Sequence, residues 1–579
     1  NIYHYEVDSF NGFNSGPVWH QTRMARGAVF TIIMNTPNLD ENATASLAMK
    51  VRGGNKTTIL GLHRLQLTLN QKIDPPYNSG SFQNHNDKLL TPSTETVSAA
   101  VQTGNNYITL TNTSAYSRDE VWLDWAELDY GVTLDSVEGQ MRFALAEQPD
   151  DANARLAGYT VAPIVFDITN PADPANLVAE QNGADWEVSP LPAAEAGLFL
   201  ATAEADLRSP DAVDVIESID FNNLRRSNLQ ADYIIITADE LISAANDLAT
   251  VHSQEVQPDL RLTTLVTTVD QIYEEFSGGV SDPLALRYFL RYAHENWQRP
   301  PPDSLPPRLV CLFGDGDFDY RNITGRSTTL VPTFQLDGSS DIDSRAVDDM
   351  FVYLDSQWVN SPLPDMGIGR IAASTLEEAE AAVEAVRSYM VEPEPGSWRT
   401  RLVICADDPM RPDEDQTTFI TQSETIAGYV PESLEVGKVY LTEYAKKINP
   451  ATNAVIKPDA TEALIESVNR GVTLINYIGH GGATKWAQEE LLNMERDRPL
   501  LEPGGRLPAW YAGTCAWGRF DQLDVPAMSE AITASTEIDG IVVIAATRSV
   551  NLGTNREFIY NLFKQTFSGP GKQPTSGRV

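Results

Sequence analysis

The stretch LINYIGHGG, Leu474–Gly482, is an apolar run that stops abruptly at a Gly-His-Gly-Gly turn. Near-continuous apolar residues of strand length mark a strand buried on both faces, as in a parallel sheet. The neighbouring sequence has the same character. Working outward, the apolar runs YIIIT (233–237), LRLTTLVTTVD (260–270), RLVCLFG (308–314), RLVICAD (401–407), KVYL (438–441), AWYAGTC (509–515) and GIVVIAAT (540–547) alternate with amphipathic segments. Those segments include DPLALRYFLRYAHENW (282–297), TLEEAEAAVEAVRSYM (375–390), TTFITQSETIAGYV (417–430), DATEALIESVNRG (459–471), PAMSEAITAS (526–535) and NREFIYNLFK (555–564). Ser374 or Thr375 caps the second of these, with acids in its first turn. Strict strand–helix alternation predicts a mostly parallel sheet covered on both faces, whose site lies at the carboxyl ends of the strands. On that rule Asp315, Asp407, His480 and Cys515 all emerge on one edge of one sheet.

Two of these residues carry a specific chemistry. A cysteine attacks as its thiolate, and forming one near neutral pH needs a base or a positive neighbour. His480, 35 residues ahead of Cys515 and on a neighbouring strand, fits that need. An oxyanion forming on a scissile carbonyl needs donors that approach without side-chain interference. The backbone N–H groups of Gly481 and Cys515 are the candidates, and Asp407 is placed to orient the imidazole. Taken singly, Gly-His-Gly is a turn and a strand cysteine a packing residue. Together at neighbouring strand ends they read as a Cys-His hydrolase.

The other cysteines, Cys311 and Cys405, lie inside apolar runs and read as small core residues. Three cysteines build no disulfide framework. Residues 1–150 show short alternating runs such as AVFTIIMN, LQLTLN, NYITLTN and VWLDWAELDYGVTL between Gly, Asn, Pro and Ser clusters, the pattern of a sandwich or jelly roll. Their histidines, His4, His20, His63 and His85, are scattered and suggest no metal site. Residues 151–228, rich in Ala, Asp and Pro, read as further strands and a connector. The organisation expected is therefore multidomain: 1–150 β-rich, 151–228 β and linker, 229–395 the first α/β half, and 396–579 the catalytic α/β half.

A formal net charge of -38 over 579 residues excludes nucleic acid as the expected partner. Lysine is absent between Lys88 and Lys438, and such an acidic, lysine-poor surface hints at a salty habitat or at an acidic secreted protein. The start NIYHYEVDSF lacks the basic and apolar regions of a signal peptide, which suggests a mature or trimmed end and does not argue for the cytoplasm.

NYIGHGGATKWAQEELL (476–492), followed by WYAGTCAWGRFDQLDVPAMSEAI (510–532) and GIVVIAATRSV (540–550), resembles the gingipain-type cysteine peptidases, family C25, with a caspase-like fold. CLFGDGDFDYRN (311–322) and VDDMFVYLD with DMGIGRIAAST (347–375) resemble the PorU-type sortase branch that serves type IX secretion. The resemblance spans about residues 230–565. It implies Cys515 as nucleophile, His480 as its base or acid, and Asp407 as third member, with the oxyanion on the Gly481 and Cys515 backbones. The family's acidic specificity residue would fall within MRPDEDQ (410–416), where the local match is poor, so no preference for basic residues is carried over. No cofactor is implied for catalysis. Related peptidases carry structural calcium, and GDGDFDYRN places Asp315, Asp317 and Asp319 at alternate positions like the start of a calcium loop. The expected EF-hand glutamate is missing, so acids in a turn are the other reading. Asp341, Asp343, Asp348 and Asp349 form an alternative locus.

The implied function is a cell-surface, outer-membrane-associated sortase. It would remove the C-terminal sorting domain from type IX cargo through a thioester and pass the acyl group to water or to surface lipopolysaccharide. Its partners would be that cargo, other type IX secretion components and anionic lipopolysaccharide. A secreted endopeptidase without transfer, and an inactive peptide-binding scaffold, are the alternatives. Such sortases continue into further β domains, so the sequence reads as part of something longer.

Overall fold

The computed structural model describes residues 2–55, 63–135, 139–145, 147, 152–191, 196–207, 223–226, 228–297, 305–338, 340, 343–354, 363–409, 417–450 and 452–567. The chain divides into two units, Asn1–Gly12 with Val18–Glu217 and Phe13–Pro17 with Ser218–Val579.

The first unit is antiparallel. Val29–Thr36, Gly104–Asn112, His63–Leu69 and Tyr77–Phe82 make one sheet, in that order. Ile2–Glu6, Glu120–Tyr130, Ala45–Gly53 and Asp87–Leu90 make a second, with Thr22–Ala25 also on Glu120–Tyr130. Their alternating residues Ile32, Met34, Leu47, Met49, Leu67, Ile108, Leu123 and Leu128 share one core, as in a sandwich. Residues 140–202, which begin inside the expected 1–150 region, form strands around a smaller core of Phe143, Leu156, Val165, Leu191 and Phe199. Their Gln140–Leu145 strand pairs with Gly197–Thr202.

The second unit is α/β and caspase-like. Thr264–Thr268, Tyr233–Thr237, Leu309–Phe313 and Gly367–Ile371 form one sheet in that order. Glu435–Tyr440, Arg401–Ala406, Leu474–Ile478, Ala509–Gly513 and Val542–Ala545 form another. Every pairing in both is parallel. Leu474–Ile478 is buried throughout and sits third of five, which is why its sequence is apolar without alternation. The strands thus fall into two sheets where one was expected. Asp315 follows Leu309–Phe313 in the first sheet, while Asp407, His480 and Cys515 belong to the second. Which strands pair is a long-range choice that local apolarity does not encode.

The helices carry their own stop and start signals. Thr375 caps Leu376–Met390 by accepting from the Glu378 N–H, and Glu378 reaches back in a capping box. Pro458 opens Pro458–Arg470, and Gly471, at φ +93, ends it. Among the described residues no helix is long and apolar enough to cross a membrane.

Candidate active site

Ala406 pairs with Ile478 and Ile478 with Gly513, in parallel register. Counting on from those pairs, His480 and Cys515 occupy equivalent positions, two residues past adjacent strands. Asp407 stands one residue past the strand on the other side. Neighbouring strands lie about 4.8 Å apart, so the loops that bear Asp407, His480 and Cys515 leave one edge of the sheet side by side.

Three hydrogen bonds hold the main chain of His480. Its N–H donates to Asp407 Oδ2 at 2.8 Å. Its carbonyl accepts from the Tyr477 hydroxyl at 2.6 Å and from the Ala487 N–H at 2.8 Å. Tyr477 is itself fixed by stacking on Trp486, centroids 4.6 Å apart, and Trp486 packs on Trp510 and Trp517. The two motifs that bear the histidine and the cysteine therefore share an aromatic core. The imidazole meets the Phe419 ring edge-on at 5.4 Å. Asp407 was expected on the imidazole, but its carboxylate holds the backbone instead. Its other oxygen accepts from the Asp408 N–H at 2.9 Å. Gly479 makes this possible, because a Cβ there would lie 2.3 Å from Asp407 Cβ and 2.4 Å from the Tyr477 hydroxyl.

Burial pushes the Asp407 carboxyl up to about 7, and the charges of Asp408 and Glu489 add to the push. For Asp408 burial acts the same way, but Lys457 at 2.8 Å and Lys446 at 3.2 Å overcome it and hold the carboxyl below its ordinary value. Lys457 is 2% exposed and also donates to the Leu441 carbonyl. A buried ammonium persists only with such partners.

Cys515 is half-buried, whereas Cys311 and Cys405 are buried, and burial pushes both of those thiols up, Cys311 to about 11. Cys515 Sγ takes the Val550 N–H at 3.5 Å and lies 4.0 Å from the Val550 carbonyl. Among the described residues no hydrogen bond joins Cys515 to His480. The backbone nearby is unusual. Of the described non-glycine residues with left-handed φ, all are Asn or Gln except Ala487 (φ +61), Glu490 (φ +53) and Ala516 (φ +53). Ala487 holds the His480 carbonyl and Ala516 follows Cys515, so conformations that cost alanine about 1 kcal/mol or more gather at this edge.

Gly481 pairs with Trp486 in a short hairpin, one step from the hydrogen-bonded His480 and Ala487. By the alternation of an antiparallel ladder, its N–H points away from the opposite strand of the hairpin. A Cβ at 481 would lie 2.6 Å from Thr514 Oγ1 and 3.1 Å from the Lys485 carbonyl oxygen. Gly481→Ala is therefore expected to lower stability by about 2 kcal/mol. Urea denaturation checks this, as a lower midpoint with the slope retained.

Among the described residues, the acids suggested as calcium ligands form no trio with ligating atoms within 4.8 Å of one another. Asp317 accepts from the Asp319 N–H, the Ser327 hydroxyl and the Thr328 N–H. Asp319 accepts from the N–H groups of Ile323 and Thr324 and from the Thr324 hydroxyl. These are Asx-type turns in which the loop supplies the donors. Asp315 takes the Gly316 N–H and the Ser374 hydroxyl. Asp348 forms a two-pronged pair with Arg370, and Asp349, next in sequence, is buried enough that its carboxyl is pushed up. Asp343 accepts from the Ser340 hydroxyl. Asp341 and MRPDEDQ lie outside the described residues. Among the described residues, the one trio of ligating groups within 4.8 Å of one another is Asp407, Asp408 and Glu489. Lys446 and Lys457 already balance much of its charge. Sequence reasoning missed Phe419, Val550 and these two lysines: Val550 acts through its main chain, and the other three sit in no motif.

Comparison with known proteins gives the family of the chain. An uncharacterized protein of Archaeoglobus fulgidus is 20% identical over 302 residues, which cover 50% of this chain and 67% of that protein. The crystal structure of dimeric latent PorU from Porphyromonas gingivalis shares the fold, with a TM-score of 0.55 and 20% identity over 67% of this chain. The chain spans 38% of that structure's length. The Arg specific cysteine proteinase gingipain R aligns with a TM-score of 0.41 and 18% identity over 59% of this chain and 70% of its own. A family model for peptidase family C25 matches residues 226–579, which take in the His480 and Cys515 loops and more than half of the sequence, and the chain accordingly belongs to peptidase family C25.

Proposed function

We propose that this chain is a gingipain-like cysteine peptidase that works at the cell surface as a sortase, removing the C-terminal sorting domain from type IX secreted cargo. One observation carries the reading: His480 and Cys515 hold equivalent positions past adjacent parallel strands. Likeness in fold to a PorU structure supports the sortase branch.

In the proposed reaction the Cys515 thiolate attacks the scissile carbonyl carbon, forming a C–S bond and an oxyanion. The Gly481 and Cys515 N–H groups face that oxyanion. Collapse breaks the C–N bond, His480 gives its proton to the leaving amine, and a thioester remains on Cys515. Water, or an amine of anionic surface lipopolysaccharide, then gives a proton to His480 as it attacks the thioester carbon, and the C–S bond breaks to return the thiolate. Asp407 serves by fixing the His480 main chain. The chemistry uses no cofactor, and other components of the secretion system are the further partners.

The test is acceptor trapping. Incubating the protein with a cargo peptide that spans a sorting-domain junction, together with increasing amine, is expected to give amide product in proportion to the amine. Hydrolysed product alone at every amine concentration would replace the sortase with an endopeptidase.

A further inference from the structure

Arg548 follows the last strand of the second sheet and is 4% exposed. A guanidinium has five N–H donors in a rigid fork, and here all five are used. Nε donates to the Ser344 carbonyl at 3.1 Å. Nη1 donates to Asp521 Oδ1 at 2.8 Å and to the Thr547 carbonyl at 2.7 Å. Nη2 donates to Asp521 Oδ2 and to Ser15 Oγ, each at 2.5 Å. Asp521 is fully buried and also takes Gln335 Nε2 at 3.3 Å.

The surroundings of this fork give it a direction. The main chain of Arg548 accepts the N–H of Ala516, the residue after Cys515, at 3.0 Å. Gly518 donates to the Ala546 carbonyl at 3.0 Å. Two residues past Arg548, the Val550 N–H donates to Cys515 Sγ. The loop after the cysteine and the loop after the last strand are thus zipped together at three points. The buried Arg548–Asp521 pair ties one to the other, and Ser15 and Ser344 fix the guanidinium from behind. Ser15 belongs to Phe13–Pro17, a segment of the peptidase unit drawn from the far end of the chain.

We propose that Arg548 is a positioning residue for Cys515, which holds the loop so that the Val550 N–H stays on Sγ. The inference rests on the reading of Cys515 as nucleophile. A donor on sulfur favours the thiolate over the thiol, so displacing it acts on reactivity near neutral pH and not on the reactivity of the fully ionised sulfur. Lysine keeps the charge of Arg548 but has three donors on one nitrogen and cannot span Asp521, Ser15 and Ser344 together.

The experiment follows iodoacetamide alkylation across pH for the wild type, Arg548→Lys and Ser15→Ala, with the label located by mass spectrometry. Cys311 and Cys405 are buried, which makes Cys515 the accessible thiol. Arg548→Lys is expected to alkylate about tenfold more slowly at pH 7 and at the wild-type rate at high pH. Ser15→Ala, which removes one acceptor, is expected to slow in the same direction by about twofold. A folded Arg548→Lys whose profile superimposes on the wild type, or one slowed equally at every pH, overturns the proposal. Where Arg548→Lys loses cooperative unfolding, Ser15→Ala decides by the same criterion. Alkylation needs no substrate, so a wild type that is labelled at Cys515 but cleaves no cargo counts against the peptidase reading alone.

Discussion

Replacing Cys515 with alanine is expected to lower the rate of peptide-bond cleavage by about ten-thousandfold or more while leaving the fold intact. The two halves of this expectation have separate causes. The rate falls because no other group at the strand edge can form the thioester: Asp407 is turned to the backbone, and the remaining cysteines are buried in the sheets. Stability is retained because Cys515 is half-buried and, among the described residues, the hydrogen-bond contacts of its Sγ are with Val550, an interaction worth about 1 kcal/mol at most. Cys405→Ala should show the reverse pattern. That thiol is fully buried in the core of the second sheet, so its loss should cost about 1–2 kcal/mol and spare activity. His480→Ala should fall nearly as far as Cys515→Ala. The double variant should fall little further, since residues acting as one unit are not additive. Rates on a cargo peptide, with thermal unfolding of each variant, check the set. Cargo processing that survives Cys515→Ala would make the chain a scaffold and end the enzyme reading.

The α/β half was legible because its central strands are apolar on both faces and some of its helices carry end signals. Thr375 with Glu378, and Pro458 with Gly471, mark helix ends at the residue level. That His480 and Cys515 each follow the carboxyl end of a strand was legible from the strand boundaries, whereas the pairing of those two strands was not. What stayed hidden depends on atoms or on distance along the chain. The sequence says that Asp407 and His480 share an edge, but not that the carboxylate would choose the backbone N–H over the ring. GDGDFDYRN has the acid spacing of a calcium loop. The Ser- and Thr-rich run after it, NITGRSTT (322–329), was the signal that the loop supplies its own donors. The Arg548 fork joins residues 533 positions apart, and no local pattern announces such a pair.

Asp407→Asn is expected to remove a pH dependence of stability of about 4 kcal/mol. In the folded chain burial raises the Asp407 carboxyl from 3.8 to about 7. Between those two pH values the folded chain keeps a proton that the unfolded chain has released. Unfolding then releases that proton, so the wild type is most stable below pH 4 with respect to this group. It loses the contribution as pH rises to about 7 and stays level beyond. Three pH units at about 1.4 kcal/mol each set the size. Asparagine carries no charge at any pH, so it is spared the cost of a buried carboxylate. It has one oxygen where the carboxyl has two, however, and either the His480 or the Asp408 N–H loses its acceptor, at about 1 kcal/mol. The variant should therefore be less stable than the wild type by about 1 kcal/mol at pH 4 and more stable by about 3 kcal/mol at pH 8. Other buried acids such as Asp539, raised to about 6, titrate in both proteins and cancel in the difference. Urea midpoints at several pH values measure the crossing. Parallel curves for the two proteins would show that Asp407 is ionised in the fold throughout, and would remove the buried, proton-bearing carboxyl from beneath His480.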